Sequence, residues 1–362
     1  MNAYLDYAAT TPLDKEILEK MLPYFGAEFG NPDSLHTMGR TAAYAVSEAR
    51  DRIAGVLGVK PREVYFTSGG TEADNWAVKG LGSGKVCVSA IEHTAVLSAA
   101  SNASVAKANK EGIVTAEAVA KALNADTGTA FVMAVNNETG VVQPIKEISA
   151  LCKERGVLLF SDCVQAASTQ DLKELCELCD AVSLSGHKVY GPKGTGALVV
   201  KQGVKLTPLV KGGEQERGLR GGTLNVAGIV GFSYALEKAQ KEREEFCRKA
   251  EKLRGLFEGE LKAALGGKIK IDGTNRAPNI SHITFAGANE SLLNLLDLHG
   301  VYASGGAACS AHSAYPSHVM LAMGKAEEEA RAGVRFSFGK NTTKEEVRFA
   351  VKTVIECYSS LR

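Results

Sequence analysis

The sequence predicts an α/β fold, with a large domain in which a mostly parallel sheet lies between helices and a smaller α+β domain. Three observations carry this. Apolar runs of strand length at 85–90, 129–135, 157–161, 181–184 and 196–201 recur with helical segments between several of them, the pattern of a parallel sheet covered on both faces. A charged helical stretch at about 233–265 contains Lys241-Glu242-Arg243-Glu244-Glu245, which reads as a solvated helix face and a bridge between domains. From about residue 268 the elements shorten to strands at 269–272, 280–285 and 333–337 and helices at 290–298, 317–323 and 344–358.

Length and composition agree with this. The 362 residues suggest two domains, and 45% hydrophobic with 23% charged residues is ordinary for a soluble globular chain. A net charge of +1 argues against nucleic acid or a membrane surface as the main partner. Met1 to Tyr7 carries no basic region and no apolar core of a targeting signal, and no uncharged apolar run approaches the length of a spanning helix. A cytoplasmic location is therefore expected. The eight cysteines are scattered (87, 152, 163, 176, 179, 247, 309, 357), so reduced thiols are expected. Cys176 and Cys179 form one C-x-x-C without a second pair, which predicts no metal site.

Taken in order, residues 35–57 place Ala42, Ala45, Val46, Ala49, Ile53 and Val56 at three-to-four spacing, an amphipathic helix closed by Gly58. A short buried strand at 64–67 follows. Thr67-Ser68-Gly69-Gly70-Thr71-Glu72-Ala73-Asp74-Asn75 then opens a helix. Unobstructed N–H groups at Gly70, the helix dipole and the Thr71 hydroxyl make this a candidate phosphate cup, although no Walker loop is present.

In a parallel sheet the site lies at the carboxyl ends of the strands. His93 follows the run at 85–90, Asn136-Asn137-Glu138-Thr139-Gly140 the run at 129–135, Asp162 and Gln165 the run at 157–161, and Ser185-Gly186-His187-Lys188 the run at 181–184. Lys188, delivered by a tight turn at a strand end, has the placement of a Schiff-base lysine, whose amine must reach an aldehyde and give up a proton. Near the end of the chain, Ser304-Gly305-Gly306-Ala307-Ala308-Cys309-Ser310-Ala311-His312-Ser313 surrounds one cysteine with small residues, the setting of an accessible thiol.

Ten stretches in the same order, LDYAATTP, NPDSLH, TSGGTEADN, EHTAVL, VNNETGVVQPI, DCVQAAS, SLSGHKVYGPKGTGAL, GGEQERGLRGGT, SGGAACS and RFSFGK, make the chain similar to cysteine desulfurases of the class V aminotransferase superfamily. The resemblance implies fold type I and pyridoxal 5'-phosphate as cofactor. It also implies a large domain at 13–245 and a small one built from 1–12 with 246–362. By residue it implies Lys188 as the Schiff-base lysine, Asp162 facing the pyridine nitrogen, Gln165 at the phenolic oxygen and His93 stacked on the ring. Asn137 lies beside cofactor and substrate, and Thr71, Ser185 and His187 hold the phosphate. Thr223 reaches across from a second subunit, which implies a homodimer. Arg335 clamps the substrate carboxylate, and Cys309 is the nucleophile that takes sulfur from L-cysteine as a persulfide, leaving L-alanine. Lys188 or His93 assists the proton shifts, and His312 is a minor candidate for deprotonating Cys309.

The implied destination of the sulfur is an acceptor protein, in iron-sulfur cluster assembly or tRNA thiolation. Selenocysteine lyase or small-substrate aminotransferase chemistry is the alternative from the same residues. The cysteine loop resembles the longer-loop branch with one extra small residue. The 94–118 span is short, which puts a peripheral strand in question, and the chain stops at Arg362 without the extension of some scaffold-dedicated members.

Overall fold

The computed structural model describes residues 1–288, 290–305 and 316–361, without the side chain of Glu290. The chain starts with a two-residue strand, β1 (Ala3–Tyr4), and a helix, α1 (Lys15–Met21), whose first turn is capped by Asp14 accepting from the Glu16 N–H. Helix α2 (Thr37–Leu57) buries Ala42, Ala45, Val46, Ala49 and Ile53 and stops at Gly58, whose φ of 67° suits the residue without a Cβ. Then follow β2 (Val64–Thr67), α3 (Gly70–Gly80), β3 (Lys85–Ser89), α4 (Thr94–Ala99), β4 (Ser104–Ala106), α5 (Ala116–Ala122), β5 (Thr127–Phe131), α6 (Ile145–Arg155), β6 (Leu158–Asp162), α7 (Leu172–Leu178), β7 (Ala181–Ser185) and β8 (Gly196–Val200).

These strands form one seven-stranded sheet in the order β2-β8-β7-β6-β5-β3-β4. All run parallel except β8, which is antiparallel to both its neighbours. Strands β7 and β8 are buried along their whole length because helices cover both faces. The short 94–118 span keeps α4 and β4, so the peripheral strand is present, paired with the edge of β3. From β3 the chain moves outward to β4 and then back across to β5. That reversal opens a crevice at the carboxyl ends of β3 and β5, where a doubly wound sheet binds its ligand.

Helix α8 (Val226–Leu265) is 40 residues long and capped by the Asn225 side chain. Its first part, through Leu236, packs in the core under the large sheet. Leu253, Phe257, Leu261 and Leu265 pack in a second core. The charge run between them is exposed or half-buried. The helix begins before the expected residue 233 because Val226 to Phe232 is buried on every side, which leaves no periodicity to read.

After it come β9 (Ile269–Ile271), β10 (Ile280–Phe285), α9 (Glu290–Leu298), β11 (Val301–Tyr302), α10 (His318–Ala322), α11 (Glu327–Arg331), β12 (Gly333–Ser337) and α12 (Lys344–Ser360). Strands β12-β10-β9 make an antiparallel sheet, and β1 pairs in parallel with β11. The second core joins Ala3 and Leu5 to Phe257, Phe285, Phe336, Phe338 and Val354. A fully buried leucine such as Leu5 contributes about 1.5–3 kcal/mol, which helps to hold the amino-terminal segment. Beyond β1 the segment is stitched to the lysine turn. Thr11 Oγ1 donates to the His187 carbonyl at 2.9 Å and accepts from the Tyr190 N–H at 2.8 Å.

Among the described residues no helix is long and apolar enough to cross a membrane. The seven described cysteines are unpaired thiols. Cys163, next to Asp162, is fully buried in the large core, and burial raises its thiol far above its usual range. Cys176 and Cys179 are likewise buried core thiols.

Candidate active site

The crevice holds a pocket with about 730 Å³ of empty space. Its lining includes Gly70, Thr71, His93, Asn137, Asp162, Gln165, Ser185, His187, Lys188 and Arg335. These come from the ends of β2, β3, β5, β6 and β7 and from β12, so the fold brings together residues spread over more than 260 positions of sequence. Lys188 follows β7 in a single turn of 3-10 helix, and its amine donates to the carbonyls of Ala8 at 2.5 Å and Ala9 at 2.9 Å. Gln165 Nε2 donates to the same Ala8 carbonyl at 2.7 Å. The amino-terminal segment therefore closes one side of the pocket.

Asp162, the last residue of β6, accepts the Val164 N–H at 2.8 Å. Burial raises its carboxyl above the usual range, opposed by the nearby His93 ring, the Val164 N–H and the Lys188 amine. His93 caps α4, with Nδ1 accepting the Ala95 N–H at 3.1 Å. The proton of the neutral ring is thus on Nε2. Burial, with Lys188 and His318 nearby, lowers this imidazole below its ordinary range.

At the opposite end, α3 starts at Gly70 with no side-chain cap from Gly69, so its first N–H groups are available to an anion. Gly69 has φ 153°, open only to glycine, and a Cβ on Gly70 would come within 2.9 Å of Val164 Cγ2. Ser185 is buried beside Gly69. His187 Nδ1 lies 3.1 Å from Thr10 Oγ1, and burial with Lys188 and Lys193 pushes its imidazole down to about 4. The ring is neutral at pH 7 and serves as a hydrogen-bonding group there.

Arg335 is 1% exposed on β12. It donates through Nη1 to the Asn137 carbonyl at 2.7 Å and through Nη2 to Asp6 Oδ1 at 2.8 Å. Its buried Nε has no hydrogen-bond partner among the described residues, and the residue lines the pocket, so not all of its five N–H donors are used within the fold. Asn136, beside Asn137, is structural. Its Oδ1 takes the N–H groups of Glu138 and Thr139 and the Thr139 hydroxyl.

Thr223 is exposed and does not line this pocket. Cys309 and His312 lie outside the described residues. The chain leading into their segment is anchored at the pocket, because Ser304 exchanges both backbone hydrogen bonds with Arg335. On the far side, Ser317 Oγ donates to Glu138 at 2.5 Å and His318 Nε2 donates to the Glu92 carbonyl at 3.0 Å. Asp6, Asp74, Met133, Val164 and the carbonyls of Ala8 and Ala9 also stand at the site. Nothing local in the sequence marks Asp6 or Asp74, because the partner of each is a hundred or more residues away.

Comparison with known proteins gives a single answer. The aminotransferase class-V family model matches residues 3–349. The chain belongs to the class-V aminotransferase family. Among relatives, a cysteine desulfurase IscS of Methanosarcina thermophila is 43% identical over 378 aligned positions, covering 99% of this chain and 92% of the relative. One from Clostridium botulinum is 39% identical, covering 97% and 93%. Among solved structures, a NifS-like protein superposes with a TM-score of 0.91 at 35% identity, covering 99% of this chain and all of that one. A structure titled as SspA in complex with cysteine superposes with a TM-score of 0.80 at 34% identity, covering 94% and 100%.

Class-V aminotransferases of this kind use pyridoxal 5'-phosphate, and the donor set fits that group. A glycine-flanked helix start and buried hydroxyls suit a phosphate. A buried carboxylate suits a protonated ring nitrogen, and a lysine amine stands in the same pocket.

Proposed function

We propose that the pocket converts L-cysteine to L-alanine and passes the sulfur to Cys309 as a persulfide. The observation that carries this reading is the meeting in one pocket of the Lys188 amine, the buried Asp162 carboxyl and an Arg335 guanidinium with donors to spare. Bound pyridoxal phosphate would supply an electron sink for the substrate amino acid. Gly70, Thr71, Ser185 and His187 would hold its phosphate, Asp162 its ring nitrogen, Gln165 its phenolic oxygen and His93 its ring face.

The chain's own residues do the rest. Arg335 binds the α-carboxylate and fixes which bond faces the ring, a task suited to a planar two-pronged donor. Asn137 borders the same space. Lys188, released from the Ala8 and Ala9 carbonyls, carries the proton from the α-carbon, with neutral His93 beside it. Cys309 attacks the substrate sulfur as thiolate. A sulfur–sulfur bond forms, the carbon–sulfur bond breaks with its electron pair left on carbon, and that carbon takes up a proton to give alanine. Covalent reach allows it. Cys309 is five positions from Ser304, whose backbone is tied to Arg335, a span of at most about 17 Å.

The reading extends to a homodimer in the cytoplasm that hands its persulfide sulfur to an acceptor protein for iron-sulfur cluster assembly or tRNA thiolation. Support for the dimer comes from Thr223, exposed and away from its own pocket. It also comes from apolar side chains left in water near the amino terminus, Phe25 at 66%, Phe29 at 74% and Leu35 at 90% exposure.

The test has two parts. Borohydride reduction of the holoenzyme followed by peptide mapping should find the cofactor on Lys188. With Cys309→Ala, radiolabelled sulfur from L-cysteine should no longer appear on the protein while the cofactor absorbance remains. Label on the Cys309→Ala protein at the wild-type level, or cofactor trapped on another lysine, would overturn the reading.

A further inference from the structure

Three carboxyl groups lie together under the pocket, and the proposed reaction employs one of them. Asp162 ends β6, Asp74 sits in the second turn of α3 and Glu92 precedes His93, with exposures of 6%, 2% and 0%. Asp74 and Asp162 line the same cavity. Between them stands Ser183, fully buried, the register partner of Asp162 on β7. Its Oγ lies 2.6 Å from Asp74 Oδ1, and the Asp162 carboxyl stands beside it on the neighbouring strand, where the hydroxyl acts to lower that group's pKa.

A hydroxyl has one proton to give. Between two carboxylates it would satisfy one and leave the other facing a lone pair, at a buried site where like charges and desolvation already oppose ionisation. Between a carboxylate and a carboxylic acid it satisfies both. The acid donates to Oγ, and Oγ donates to the carboxylate.

The surroundings decide which group keeps the charge. Asp162 has His93 and Lys188 beside it and the Val164 N–H on it. Asp74 is faced by Asp162 from β6, Glu92 from the turn after β3 and Ser183 from β7. Strands β2 and β8 add no acid or base near it except Tyr65, which packs on Trp76. Burial and the two neighbouring acids accordingly raise the Asp74 carboxyl well above its ordinary range. Glu92, with Oε1 taking the Ser89 hydroxyl and the Met133 N–H and with Oε2 unpartnered among the described residues, is pushed up to about 8 by burial.

We propose that Asp74 is a positioning residue for Asp162: a neutral acid that donates to the Ser183 hydroxyl, so that this hydroxyl donates to the Asp162 carboxylate and fixes the single negative charge of the pocket floor there. The inference rests on Asp162 being the carboxylate that serves the cofactor ring, and it adds to that reading a proton-holding relay behind it.

The experiment has an arm that needs no cofactor. Infrared spectra of the cofactor-free full chain at pH 7 should show neutral-acid carbonyl absorption from Asp74 and Glu92. Asp74→Asn should remove one component and Glu92→Gln the other. In the holoenzyme, the pH midpoint of the cofactor absorbance should stay at the wild-type value in Asp74→Asn, whose amide still donates to Ser183. It should move by about one pH unit in Asp74→Leu and Ser183→Ala, the size of one hydrogen bond to an ionised carboxylate.

Neutral-acid absorption that survives Asp74→Asn in full, or an asparagine variant whose midpoint moves as far as that of the leucine variant, would overturn the relay. The infrared result is independent of turnover. A chain that shows the expected bands but releases no alanine would sink the desulfurase reading alone.

Discussion

Replacing Arg335 by lysine separates a two-pronged grip from mere charge. The guanidinium has five N–H donors. One goes to the Asn137 carbonyl at 2.7 Å and one to Asp6 Oδ1 at 2.8 Å. Three remain, and a substrate carboxylate held side-on needs two. An ammonium offers three donors from one atom. If two still serve Asn137 and Asp6, one is left for substrate, so Arg335→Lys loses about one charge-assisted hydrogen bond.

At about 1.5–3 kcal/mol for such a bond, kcat/KM for L-cysteine should fall about 10- to 150-fold. The carboxylate is held alike before and during the chemistry, so the loss should appear mainly in KM. Alanine release measured across a range of L-cysteine concentrations separates the two constants. A KM within threefold of wild type, or a loss confined to kcat, would refute the assignment of Arg335 to the substrate carboxylate.

Two further outcomes follow from the structure. Glu216, whose side chain is fully buried, takes both terminal nitrogens of Arg50 at 2.9 and 2.6 Å and the Phe66 N–H at 3.0 Å, so Glu216→Gln leaves a charge without its counterpart. That should cost about 3–5 kcal/mol and lower the melting temperature by about 4–7 °C; an unchanged thermal midpoint would show the pair to be dispensable. His187, at about 4 in the fold against about 6.5 in an unfolded chain, takes up its proton more readily when unfolded. Stability should therefore fall as pH drops from about 6.5 to 4 and be insensitive to this group above 6.5. Melting temperature against pH should be flatter in that window for His187→Gln, and identical slopes would contradict the buried neutral imidazole.

The sequence by itself determined the sheet and the roster of the pocket. Strands at 64–67, 280–285 and 333–337 were legible because each is a short run containing β-branched and aromatic residues. The end of β5 was less so. Residues 132–135 are as buried as the strand itself, and Val132 and Ala134 still donate to the carbonyls of Phe160 and Asp162, although the strand ends at Phe131, and hydrophobicity does not distinguish the two. His93, Asn137, Asp162, Gln165 and Lys188 could be picked out because strand ends are local features and parallel strands carry their sites there.

Only the tertiary structure decided what stands against those residues. Lys188 meets carbonyls 180 and 179 positions away, Ser183 meets Asp74 across 109, and Arg335 meets Asp6 across 329. Such pairs leave no periodic or compositional trace. Whether a buried acid is charged depends on which cation, hydroxyl or second acid the fold sets beside it. The chain announces its chemical groups in the order of its strands, and packing assigns their charges.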